Sequence, residues 1–231
     1  MDGVDGRTAA DRRGRGRLTG MDWLAVLVPD HGVAVDRYRP LVAELATAGA
    51  LVAELPGPLV PDYEAAVDRL AALIDQYAGS PVVLVGHAVG GMIAVRYAQR
   101  YADGAAALVL SAPVLGPWPT LDLLSGPTEE LLAGSAGLDR AELAAIENCL
   151  TTIDFDHPLG DELPALWVHG ADDTRVPVAD TRAGLDRVRG LGFEELIVPG
   201  GVHDLLDEPA VRAEVVGFAT RVVRPDGVRQ G

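Results

Sequence analysis

The chain has 231 residues, 48% hydrophobic and 23% charged, which supports a sizeable core and excludes a disordered or fibrous chain. Its longest apolar runs, about eight residues, exclude a transmembrane span, which needs roughly 20. All 19 basic residues are arginines and the formal net charge is −15. Schiff-base and P-loop lysine chemistry are thereby excluded, and nucleic acid and anionic membranes are disfavoured relative to a small or neutral substrate.

Residues 1–20 carry five arginines, three aspartates and five glycines with almost nothing apolar, and are expected to form a flexible tail ahead of one domain over 21–231. From there, short apolar runs alternate with stretches whose apolar residues recur three and four apart, the pattern of a parallel α/β sheet. Strands are expected at Leu24–Val28, Leu51–Glu54, Val82–Gly86, Ala106–Leu110, Leu166–His169 and Glu195–Val198, with helices near 36–49, 61–78, 89–102, 178–189 and 207–223. Pro40 and Pro209 fall in first helical turns, where a missing N–H is tolerated. Residues 112–164, rich in Gly, Pro and Leu, interrupt the alternation after the fourth strand and are expected to form a cap. The single cysteine, Cys149, cannot form an internal disulfide, and no apolar signal core follows the N-terminus, so a cytoplasmic protein is expected.

Three segments carry the chemistry. Val82–Gly86 runs through His87-Ala88-Val89-Gly90-Gly91 into a helix, the strand, tight turn and helix of a nucleophile elbow G-x-S-x-G. The nucleophile position holds Ala88, whose methyl group cannot attack a carbonyl. Leu166–His169 ends at Gly170 with Asp173 three residues on, a platform for a carboxylate that orients a histidine; Asp172 is read as a solvated turn residue. His203 follows the last strand, ahead of the final helix. The order nucleophile, acid, histidine is that of α/β-hydrolases. His31-Gly32 ahead of the first helix supplies a turn whose backbone can face a developing oxyanion. Val33 and Val89 are the candidate N–H donors, with His31, Gly32 and His87 in supporting roles.

His31-Gly32 with Asp36-Arg37-Tyr38, the segment Gly86–Gly91, Arg96-Tyr97-Ala98, the run Leu108–Pro113 and the run His203–Pro209 together resemble the monoacylglycerol lipase and lysophospholipase-like branch of the α/β-hydrolase superfamily. The resemblance spans about residues 24–223. It implies an α/β-hydrolase fold of about six mostly parallel strands and a carboxylic ester hydrolase without a cofactor. It also implies a triad in which Asp173 is the acid and His203 the base. The chain departs from that pattern in Ala88, in Leu55-Pro56-Gly57-Pro58 after the second strand, and in a short cap.

Other residues carry blander readings. Ser111 follows a strand with nothing to activate it, and Cys149 fits a small buried role. Asp154, Asp156 and His157 lack a metal-ligand spacing, so no metal site is expected. His169 reads as a hydrogen-bonded core histidine. Leu121, Leu123, Leu124, Leu131 and Leu132 fit either helix packing or the lining of an acyl pocket. Three accounts of Ala88 follow. One is an ester hydrolase whose serine has been replaced, acting on a small ester or other apolar substrate. Another is a lyase, isomerase or cofactor-free oxygenase using His203 and Asp173 as a general base. The last is an inactive protein that binds a small apolar ligand. The oligomeric state is not legible in the sequence.

Overall fold

The computed structural model describes residues 22–59, 62–77, 79–115, 153, 159, 163–188 and 190–224. The expected tail at 1–20, and with it nearly all of the expected cap, Cys149, Asp154, Asp156, His157 and the cap leucines, lies outside the described residues.

Six strands form one parallel sheet in the order β2-β1-β3-β4-β5-β6. They are β1 Trp23–Val28, β2 Ala50–Glu54, β3 Val82–His87, β4 Ala107–Ser111, β5 Leu163–Gly170 and β6 Leu191–Val198. Every residue of β1, β3 and β4 is buried, as expected where helices cover both faces of a parallel sheet. The pleat divides these runs between two cores. Leu24, Val26, Leu84, Leu108, Leu110 and Trp167 face a cluster shared with helices α2 (Tyr63–Asp75) and α3 (Val89–Arg100). Trp23, Ala25, Leu27, Val83, Val85 and Val168 face a second cluster, built with α1 (Arg39–Thr47) and α5 (Pro209–Val223). A further helix, α4 (Val178–Leu185), contributes Leu185 to the first cluster.

Local sequence explains the helix starts. Pro40 and Pro209 occupy the first turns of α1 and α5, and the Asp62 carboxylate caps α2 by accepting from the Ala65 N–H at 2.9 Å. Two expected strands are longer than the apolar runs suggest. β5 begins at Leu163 and carries Pro164. β6 begins at Leu191, along an edge where Glu194 and Glu195 are exposed.

The all-parallel arrangement sends the C-terminal ends of β1, β3, β5 and β6 toward one edge of the sheet, where open α/β sheets bind ligands. Close backbone approach fixes these loops. A methyl on Gly90 would run into the Val28 and Pro29 carbonyls, and one on Gly170 into the Gly201 carbonyl. Among the described residues no helix is long and apolar enough to cross a membrane.

Candidate active site

Four loops meet at this edge. After β3, Ala88 adopts φ 47° and ψ −110°, a left-handed conformation that costs a non-glycine residue about 1–3 kcal/mol. The surroundings hold it there. Its N–H donates to the Ser111 carbonyl at 2.9 Å, and its own carbonyl accepts from Gly91 at 3.0 Å and Val114 at 3.2 Å. The strained turn of a nucleophile elbow is therefore present with a methyl group at its apex.

After β5, Asp173 lies buried with both carboxylate oxygens engaged. Oδ1 accepts from the N–H groups of Arg175 at 2.9 Å and Val176 at 3.0 Å. Oδ2 lies 2.8 Å from His203 Nδ1 and 3.5 Å from His169 Nε2. Burial opposes the charge on Asp173, but hydrogen bonds from His169, His203 and Val176 outweigh it and hold the carboxyl well below the usual range. Asp172 is exposed, so the structure brings Asp173, not its neighbour, to the histidine.

After β6, His203 is buried, with Nε2 lacking a hydrogen-bond partner among the described residues. Burial favours the neutral ring, yet the Asp173 hydrogen bond and the nearby Asp30 carboxylate together push His203 up to about 8. The buried carboxylate thus favours the protonated ring.

His87 ties the elbow to this loop. The His203 carbonyl, 3.4 Å from His87 Nε2, can only accept, so Nε2 carries the proton and Nδ1 accepts from the Tyr38 hydroxyl at 2.8 Å. Burial pushes His87 down to about 4, which keeps this neutral tautomer through the physiological range. The Tyr38 hydroxyl accepts in turn from the Asp30 N–H at 3.1 Å. His169 is likewise a core histidine, accepting from Trp167 Nε1 at 3.0 Å and donating to the Val176 carbonyl at 2.7 Å.

In the loop after β1, the Val33 N–H donates to the Asp30 carbonyl at 3.3 Å, within its own turn. The backbone groups that converge are the N–H of His31, at 2.8 Å, and that of Val89, at 3.3 Å, both donating to Oδ1 of Asp30. Asp30 Oδ2 lies 3.8 Å from His203 Nε2 and 3.6 Å from an Arg175 guanidinium nitrogen. Burial opposes the charge of Asp30, and its contacts with His203, His87 and Val89 lower its pKa nonetheless. Asp30 and Tyr38 are the participants that motif reading missed. The available signal is the end of the apolar run at Val28 followed by Pro29, which has no N–H, so the first donors beyond the strand are at 30 and 31. The turn at Gly32 (φ 72°) follows them. Ser111 is buried with its hydroxyl unpartnered among the described residues. No group of three or more His, Cys, Asp or Glu suited to a metal ion occurs among them.

Comparison with known proteins agrees with this fold. The family model described as serine aminopeptidase, S33, matches residues 57–138. A monoacylglycerol lipase from Mycolicibacterium smegmatis is 29% identical over 160 residues, covering 56% of this chain. The match spans 57% of that relative's length. Among solved structures, the monoacylglycerol lipase of Paleococcus ferrophilus overlays with a TM-score of 0.63 at 19% identity, covering 87% of this chain and 93% of that one. A soluble variant of the Saccharomyces cerevisiae monoglyceride lipase, in complex with a substrate analog, gives 0.66 at 15% identity, covering 90% and 87%. The sheet and these solved structures share the α/β-hydrolase fold. In sequence, the similarity to a monoacylglycerol lipase covers a little over half of the chain.

Proposed function

We propose that the site is the acyl-ester site of a carboxylic ester hydrolase of the monoacylglycerol lipase and lysophospholipase-like type. Asp173 is its acid, His203 its base and position 88 the seat of the nucleophile. Because that seat holds Ala88, the chain retains an ester-type lipid without cleaving it. The observation that carries this reading is the 2.8 Å Asp173–His203 pair, which lies beside a strained elbow kept in its working conformation. An apolar ligand fits the surroundings. Val202, next to His203, is a large hydrophobic residue left 60% exposed among the described residues, and residues 112–164 are proposed to cap the site. The single cysteine fits a cytoplasmic setting.

The test is binding and turnover of a medium-chain monoacylglycerol, monocaprylin. The native chain is expected to bind it and return it intact, releasing no more octanoate than His203→Ala. Release of octanoate that depends on His203 would overturn the reading. The persistence of the acid–base pair without a nucleophile favours one second reading, a proton-transfer enzyme working through His203 and Asp173 alone. Turnover of a carbon acid by the native chain, abolished in His203→Ala, would establish that reading instead.

A further inference from the structure

An acyl-transfer elbow aims the N–H of the residue after the nucleophile, together with a second N–H from the loop after a neighbouring strand, at the oxygen that becomes negative. In this chain the first donor is Val89. The N–H that meets it on one point is that of His31: both N–H groups reach a single oxygen, at 3.3 and 2.8 Å. That oxygen is Oδ1 of Asp30, a side chain of the same protein. The second oxygen of the carboxylate faces His203 Nε2 at 3.8 Å. When an ester is hydrolysed, the carboxylate product has one oxygen against the oxyanion donors and the other facing the histidine. The Asp30 carboxylate, tethered through its own backbone, has this same disposition.

We propose that Asp30 is a built-in occupant of an oxyanion hole formed by the N–H groups of His31 and Val89, so that ester hydrolysis is blocked at two positions, 30 and 88. The proposal rests on the acyl-ester reading above. The substrate carbonyl oxygen would need the place that Asp30 Oδ1 holds, and a developing oxyanion would meet a carboxylate where it requires donors. Asp30 is 6% exposed and its contacts with the two N–H groups, His203 and Arg175 all favour the occupied arrangement. A hydroxyl restored at position 88 therefore gains an attacking atom and a base but no place for the charge that its attack creates. Removal of one oxyanion donor alone costs about 10²–10³ in kcat, and here both donors are engaged.

Two measurements test this. In the first, Ala88→Ser, Asp30→Ala and the double variant, each verified as folded by circular dichroism and thermal melting, are assayed on p-nitrophenyl butyrate and labelled with a fluorophosphonate. Ala88→Ser alone is expected to run at least about 10²-fold slower than the double variant, and only the double variant is expected to label rapidly. In the second, sodium octanoate is titrated into the native chain and into Asp30→Ala, with the His203 ring followed by NMR. Asp30→Ala is expected to bind at least tenfold more tightly, because the seat is vacated. Asp30→Gly replaces Asp30→Ala in both arms if the latter does not fold. Equal rates for Ala88→Ser and the double variant, or equal octanoate affinity with and without Asp30, would overturn the proposal. Octanoate binding gained without any hydrolysis by the folded double variant would leave Asp30 as the occupant and overturn the acyl-transfer reading instead.

Discussion

At the scale of single residues, the site is dominated by one histidine held between two carboxylates. His203, pushed up to about 8 from its ordinary 6.5, binds its proton more tightly in the folded chain than in the unfolded one, a difference of about 2 kcal/mol. That stabilisation is fully present below pH 6.5 and disappears as pH rises through about 8. Urea midpoints of the native chain should therefore fall between pH 6 and pH 9 by more than those of His203→Ala. Asp173→Asn removes the 2.8 Å partner and should bring the His203 titration, followed by NMR, below 7; an unchanged titration would remove Asp173 as the orienting acid. Asp173 and His203 were legible in the sequence because each follows a strand end and a glycine turn. The role of Asp30 was not, because it depends on which N–H groups converge across two loops 59 residues apart in the chain, and no local pattern encodes that convergence.

The elements were more legible than the site, since periodicity reports burial directly. All six strands and all five helices form where alternation of apolar runs and helical spacing placed them. The disagreements lie at strand ends. β5 extends back through Pro164, a residue that sequence reading treats as a breaker, and β6 extends back through an exposed edge with no apolar run to mark it. Packing between elements sets the next prediction. Gly90 opens α3 against the β1 carbonyls of Val28 and Pro29, so Gly90→Ala must push α3 away from the sheet. A loss of about 3 kcal/mol in denaturant unfolding is expected. Trp167, fully buried in β5, donates to His169 and packs edge-on against Phe193. Trp167→Ala should cost about 3–5 kcal/mol and loosen the strand that carries Asp173, visible as faster amide exchange at Val168 and His169.

For the whole molecule, the governing quantity is the net charge of −15. Self-repulsion at that charge destabilises the compact state and is screened within about 10 Å at 0.1 M salt. The melting temperature should therefore rise on going from 10 to 200 mM sodium chloride, and a fall would show that attractive surface pairs such as Arg182–Glu195 at 2.6 Å dominate instead. The same charge should keep the chain off vesicles rich in phosphatidylserine. Any lipid ligand would then be taken up as dispersed molecules, with its apolar part finding the site rather than the protein finding the bilayer.

The positive φ at Ala88 has a consequence for engineering. The backbone there is held by hydrogen bonds to Ser111, Gly91 and Val114 whatever side chain it bears, so the apex is a vacant mount whose fitting can be exchanged without rebuilding its frame. The frame carries a load that its present fitting does not use. Ala88→Gly should release it, raising stability by about 1 kcal/mol once the greater freedom of glycine in the unfolded chain is deducted, as a higher urea midpoint would register. A serine or cysteine installed there would inherit a conformation already set for attack.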